Sequence, residues 1–150
     1  MQKLNLPEYT FRIREQDSKK QIFDDFRKKF VTLTPEEWVR QNFLRYLTTE
    51  KKYPRSLISV ESGLKLYQRR KRTDIVVYDN LGKPLLIVEC KAPEVLINQN
   101  VFDQIVRYNM ALQVNFLILT NGLNHYSCTI DYLNQSYQFL KEIPPYSSLK

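Results

Sequence analysis

A chain of 150 residues with 43% hydrophobic and 13% aromatic residues is sized for one domain with a real core. Twenty-three Lys and Arg against 16 Asp and Glu leave a formal net charge of +7, which favours a polyanionic partner. No apolar run approaches the roughly 20 residues that span a bilayer, Met1 to Pro7 lacks the apolar stretch of a secretory signal, and no basic amphipathic helix stands out. The expected location is the cytoplasm, with nucleic acid ahead of a membrane as partner. Two cysteines, Cys90 and Cys128, have no CxxC or His/Cys neighbours, so neither a disulfide framework nor a zinc site is indicated.

In chain order, residues 1–31 read as an N-terminal extension. Tyr9 to Ile13 is strand-like, and the charged segment Ile22 to Arg27 has no clear pattern. A helix starts at Thr34-Pro35-Glu36-Glu37: Thr34 suits the N-cap, Pro35 the first turn, and Glu37 the third residue of a capping box. Val39, Phe43 and Leu47 continue an apolar stripe, and Glu36, one turn before Val39, is a carboxylate on that inward side without a structural task. Ile58 to Leu66 alternates as a half-buried strand. Thr73 to Tyr78 and Pro84 to Cys90 form a hairpin around Asp79 to Lys83, the second strand apolar on both faces and therefore central. Asn100 to Leu112 predicts a helix with a stripe at Val101, Ile105, Tyr108 and Leu112. Asn115 to Leu119, Tyr126 to Tyr132 and Tyr137 to Leu140 predict further strands.

A hairpin closing around Leu81-Gly82 pairs residues whose numbers sum to 163, Asn80 with Lys83 and, further out, Asp74 with Glu89. Two carboxylates facing each other across a ladder repel unless something positive lies between them, and a divalent ion is the natural occupant. Alternation places Lys91 on the face of Glu89. Hard oxygens suit Mg²⁺ or Mn²⁺, and a lysine beside the ion can orient or deprotonate a water and offset phosphate charge. The bland reading of Glu89-x-Lys91 is a solvated strand edge with a weak ion pair. Against it, Leu85-Leu86-Ile87-Val88 marks a buried strand, where charges need partners or ligands.

With these residues in view, the chain resembles the restriction-endonuclease-like PD-(D/E)xK domains, and more closely the N-terminal domain of type I restriction enzyme R subunits. The matching segments are Leu33 to Gln41, Arg72 to Tyr78, Val88 to Pro93, Gln104 to Asn109 and Thr120-Asn121-Gly122. The resemblance implies an α/β fold with a restriction-endonuclease-like core of order α-β-β-β-α-β over 34–121. Its central mixed sheet would be flanked by helices, with extra strands at the N-terminal end and in 122–150. It further implies that Asp74, Glu89 and Glu36 hold a Mg²⁺ ion, with Mn²⁺ able to substitute, that Lys91 serves the attacking water, and that Gln104 borders the site. Glu36 is preferred to Glu37 because it precedes Arg40 by four residues, as in similar domains. The motif's leading proline is replaced by Thr73.

The implied activity is that of a Mg²⁺-dependent DNA endonuclease. Type I R subunits continue into an ATP-driven motor, and no Gly-x-x-x-x-Gly-Lys loop surrounds Gly63, Gly82 or Gly122, so translocation is not expected of this polypeptide by itself. The alternatives are a non-cleaving DNA- or protein-binding module of the same fold, and a nuclease subunit active only with restriction or helicase subunits in trans. A homodimer would supply the two sites that double-strand cleavage needs. Arg69, Arg70, Lys71 and Arg72, just before Asp74, are candidate DNA-phosphate contacts, with a solvated strand end as the alternative. His125 is expected at a strand edge rather than in catalysis, and the tyrosines in core and rim packing.

Overall fold

The computed structural model describes residues 1–60, 74–110 and 112–149, and the backbone of 63–66 and 69–72. Three short strands open the chain as a meander: β1 (Ile13–Gln16), β2 (Lys19–Asp24) and β3 (Lys29–Thr32), in the order β1-β2-β3. Asp17 and Ser18 both take positive φ, as a two-residue hairpin turn requires. The expected strand at Tyr9 to Ile13 is thus displaced. Extended pairing begins at Ile13, where a partner strand becomes available across that turn.

Helix α1 (Pro35–Thr49) follows. A six-stranded mixed sheet is then built from β4 (Ile58–Val60), β7 (Ile75–Tyr78), β8 (Pro84–Cys90), β9 (Phe116–Thr120), β10 (His125–Asp131) and β11 (Ser136–Phe139), in the order β11-β10-β9-β8-β7-β4. Strands β5 (Gly63–Leu66) and β6 (Arg69–Arg72) pair with each other as a separate ribbon, so the alternation over Ile58 to Leu66 serves two sheets and not one strand. The β8–β9 pairing is parallel and carries α2 (Gln99–Met110) as its crossover; the other pairings in this sheet are antiparallel.

Both faces of β8 are covered, which explains its run of apolar residues. Leu86, Val88 and Cys90 join Val39, Phe43, Leu44 and Leu47 of α1 in one cluster, whereas Ile87 joins Phe102 and Val106 of α2 in another. The α2 stripe is rotated by about one residue from the expected Val101, Ile105, Tyr108 and Leu112. Phe102, Val106 and Asn109 are buried and Tyr108 is exposed. Phe102 decides the rotation, because its ring packs on Tyr126, Tyr137 and Phe139. Among the described residues, none beyond β11 lies in a strand. Ile143, Tyr146 and Leu149 close the α1 cluster, and the Tyr53 hydroxyl donates to the Pro144 carbonyl at 2.7 Å. Cys90 and Cys128 are buried free thiols. No helix among the described residues is long and apolar enough to cross a membrane.

The β7–β8 hairpin reaches the expected register by a different route. Asp79 N–H donates to the Lys83 carbonyl at 2.9 Å and Gly82 N–H to the Asp79 carbonyl at 3.2 Å, leaving a three-residue loop, Asn80 to Gly82. Gly82 takes φ 84°, the left-handed position that ends such a loop. Tyr78 pairs with Pro84, but a bulge follows, and Val77, Val76 and Ile75 pair with Leu86, Ile87 and Val88. The longer loop and the bulged residue offset each other.

Candidate functional site

The start of α1 positions the first charged groups. Thr34 Oγ accepts the Glu37 N–H at 3.0 Å, fixing the N-cap as expected. The reciprocal half of the capping box does not form, because the Glu37 carboxylate is drawn inward. It accepts from Arg40 Nη1 at 2.6 Å, Arg27 Nη2 at 2.8 Å and Gln41 Nε2 at 2.8 Å. With its side chain only 7% exposed, Glu37 is the inward carboxylate of this turn; that of Glu36 is 47% exposed and reaches Arg40 Nη2 at 3.3 Å.

Arg40, 3% exposed, is the hub. A guanidinium that deep needs full pairing, and its Nη2 also donates to Asp74 Oδ1 at 2.6 Å. Burial alone would pull Arg40 down, yet Asp74 and Glu37 outweigh it and hold the guanidinium well above its ordinary value. The seam continues outward: Arg27 Nε bonds Asp24 Oδ2, and Asp24 Oδ1 accepts the N–H groups of Phe26 at 2.7 Å and Arg27 at 3.0 Å. Burial pushes Asp24 up, but Arg27 more than offsets it and its carboxyl is lowered. A chain of buried and half-buried charges, Asp24–Arg27–Glu37–Arg40–Asp74, therefore ties the meander turn through α1 to the start of β7.

Asp74 stands in a bend before β7. The ladder continued one step from Ile75 and Val88 sets it opposite Glu89. Its Oδ2 accepts the Cys90 N–H at 2.7 Å, so the carboxylate caps the strand end and leans toward α1. Glu89, half-buried and paired with Leu119, alternates with Val88 and Cys90 and so lies on the α2 side with Ile87. Lys91, also half-buried, continues the extended run, its N–H donating to the Thr120 carbonyl at 2.8 Å. Burial pushes the Cys90 thiol well above its ordinary value, and Asp74, Glu89 and Glu36 act in the same direction against Arg40.

The donor set is hard oxygen, which suits Mg²⁺ or Mn²⁺, and each Asp74 oxygen keeps a lone pair beyond its hydrogen bond. Among the described residues, however, no group of three His, Cys, Asp or Glu side chains is gathered closely enough to hold an ion between them. Gln104 is exposed on α2. The side chains of Arg69, Arg70, Lys71 and Arg72 lie outside the described residues. His125 opens β10: its Nε2 meets the Asn5 carbonyl at 2.9 Å and its Nδ1 meets Thr120 Oγ at 2.7 Å, which ties the N-terminal arm to the sheet. The carbonyl can only accept, so Nε2 carries the proton and Thr120 donates to Nδ1. Sequence reasoning missed Arg27 and Asp24, and cast Arg40 only as a marker for Glu36. The Asp24-x-x-Arg27 and Glu37-x-x-Arg40 spacings carried that signal.

A mixed sheet between two helices, with acidic and basic groups at the adjoining ends of β7 and β8, defines an α/β domain. The chain belongs to the family described as type I restriction enzyme R protein N terminus, whose model matches residues 35–144. Among solved structures, it is similar to a fragment assigned to an HsdR subunit of a type I restriction enzyme from Vibrio vulnificus YJ016. That likeness has 21% identity and a TM-score of 0.55 over 78% of this chain and 24% of that one. The chain thus spans about a quarter of the solved chain it matches. No protein of curated function matches it.

Proposed function

We propose that this chain is a metal-dependent DNA endonuclease domain with a PD-(D/E)xK core, hydrolysing phosphodiester bonds at the end of the β7–β8 hairpin. The observation that supports the reading is the hairpin register, Ile75 with Val88, which carried one step further would set Asp74 opposite Glu89 with Lys91 two residues on, in a chain of the R-subunit N-terminal family. Asp74 and Glu89, with Glu36 from α1, would hold Mg²⁺ or Mn²⁺, which when bound supplies Lewis acidity toward a phosphate oxygen and lowers the pKa of water. Lys91 orients the attacking water and offsets charge growing on the phosphate as the phosphorus–oxygen bond to the leaving strand breaks. Arg40 holds Asp74 in place, Gln104 borders the site, and Arg69 to Arg72 contact flanking phosphates. A location in the cytoplasm, where DNA and partner subunits are met, accords with this role.

A second reading has its own support. Asp74 is clamped by Arg40 and by the Cys90 N–H, and the three carboxylates are not gathered. A domain that cuts only once restriction or helicase subunits or a second copy deliver DNA, or that binds without cutting, fits that arrangement. Supercoiled plasmid incubated with purified protein and Mg²⁺ or Mn²⁺ tests the first reading. Nicking or linearisation is expected, with Lys91→Ala slower by roughly 10²–10³-fold, the usual loss on removing one group that stabilises transition-state charge. DNA affinity and melting temperature should be unchanged in that variant. A wild type inert under both ions, and still inert with partner subunits added, leaves the binding module.

A further inference from the structure

The meander β1–β3 precedes residues 35–144, the part matched by the family model, and the site described above uses from it only Asp24 at the end of β2 and Arg27 in the following turn. Its two faces differ in charge, one carrying cations alone and the other both signs. Ile13 pairs with Ile22, and Ile22 with Val31; Phe23 N–H donates to the Arg12 carbonyl, and Phe23 pairs with Phe30. Alternation from that register puts Arg12, Arg14, Lys19, Gln21, Phe23, Phe30 and Thr32 on one face. The strand carboxylates, Glu15 and Asp24, fall on the other face with the buried Ile22, paired there with Lys20 and Lys29. The first face is therefore a strip of three cations without a strand carboxylate, the exposed Asp17 lying in the turn beyond it.

The cations are also seated on rings. Phe23 and Phe30 meet edge to face at 5.2 Å. The Arg12 guanidinium lies 4.7 Å from the Phe23 centroid and 5.4 Å from that of Phe30, and the Arg14 guanidinium lies 3.9 Å from Phe30. Arg14 is steadied by Gln21, whose Oε1 accepts from its Nε at 2.7 Å. A guanidinium lying on a ring has its outer face and remaining N–H groups turned to solvent, and Arg12 and Arg14 are both exposed. Two residues along a strand put their stems about 6.8 Å apart, a spacing that suits successive phosphates of an extended strand.

We propose that this face binds single-stranded DNA. Arg12, Arg14 and Lys19 take the phosphates, and unpaired bases stack on the guanidinium planes and on the Phe23–Phe30 pair. Charge complementarity selects a polyanion, and the stacked planes select one with free π-faces, which a duplex hides inside its stack. The proposal does not rest on cleavage at Asp74, Glu89 and Lys91. Every measurement is made in EDTA, where a metal-dependent reaction is silent.

Fluorescence anisotropy of a labelled oligothymidylate is followed with the intact chain as salt is varied. The wild type is expected to bind. The double variant Arg12→Gln/Arg14→Gln should weaken binding at least about tenfold and flatten the log–log salt slope by about 1.4, since each contact on a single strand contributes about 0.7. Phe23→Leu/Phe30→Leu should weaken the oligothymidylate by a similar factor yet leave binding to a duplex of equal length unchanged, because only the single strand uses stacking. Melting curves establish that each variant is folded, and the arginine pair decides the question if the phenylalanine pair is not. Absence of wild-type binding, an unchanged salt slope in the arginine variant, or equal loss on single strand and duplex in the phenylalanine variant would overturn the proposal.

Discussion

Two sets of arginines sit a short way apart in this molecule and are used in opposite ways. Arg27 and Arg40 lie in the seam between the meander and α1, where carboxylates take their N–H groups at 2.6 to 3.3 Å. Arg12 and Arg14 lie on the outer face of the same meander, resting on phenylalanine rings. Burial makes the difference. In the seam, low polarity makes an unpaired charge intolerable, so geometry is fixed and the arginines are committed to Glu37 and Asp74. On the outer face water screens each charge, ring contact costs little, and the donors stay available to a ligand.

The largest expected effect tests the committed set. Arg40→Ala removes a cation shared by Glu36, Glu37 and Asp74, leaving the buried Glu37 to Arg27 and Gln41 and the half-buried Asp74 to the Cys90 N–H. Breaking a buried pair from one side usually costs about 3–5 kcal/mol, so urea unfolding should show a loss of that order. A loss below about 1 kcal/mol would mean that the seam tolerates an open charge, and the contrast with the outer face would fail.

Much of this was legible beforehand, for identifiable reasons. The Thr34 cap and the Val39, Phe43 and Leu47 stripe follow from local rules that tertiary packing did not overrule. Strand β8 was read over its full span, since an apolar run bounded by Lys83 and Lys91 has few alternatives. The hairpin register was right from Val77 and Leu86 to Ile75 and Val88 although the loop was one residue longer than expected, because the bulge restored the count. What escaped was orientation. Glu36 and Glu37 are adjacent, and Arg27, arriving from the meander to join Arg40 and Gln41, helps turn Glu37 inward. Likewise Val101 with Phe102 and Ile105 with Val106 offer two helical stripes of equal period. The rings of Tyr126, Tyr137 and Phe139, distant in sequence, select Phe102.

Acid titration sharpens the comparison, because the seam is charged and the nearby tie of the N-terminal arm is neutral. Burial lowers His125 from its ordinary 6.5, only partly countered by its bond to Asn5. The unfolded chain then binds the proton more readily than the folded one, so the His125 contribution is present above pH 6.5 and falls away as pH drops below it. Asp24 is lowered from 3.8, so its contribution persists through that range and is lost only as pH falls below 3.8 toward the folded value. Stability plotted against pH should therefore show two separate declines. His125→Gln should erase the upper one alone and Asp24→Asn should weaken the lower one. A single decline near pH 4 that His125→Gln does not change would show that the imidazole bears no load.

The smallest expected effect is the one that makes the contrast quantitative. Arg12 and Arg14 are exposed, and a cation over a ring at an exposed site contributes about 0.5–1 kcal/mol, part of which a glutamine stem retains by covering the same ring. Each single change to glutamine should therefore shift the urea midpoint by less than the equivalent of about 1 kcal/mol, within the range of ordinary surface substitutions. The two changes share Phe30 and stand close together, so their sum need not be additive. The double variant still belongs well below the loss expected for Arg40→Ala. If it unfolds as readily as Arg40→Ala, the outer arginines are holding the meander together and are not free for a ligand. If instead it keeps its stability, any loss of DNA binding on that face is a loss of contact and not of fold.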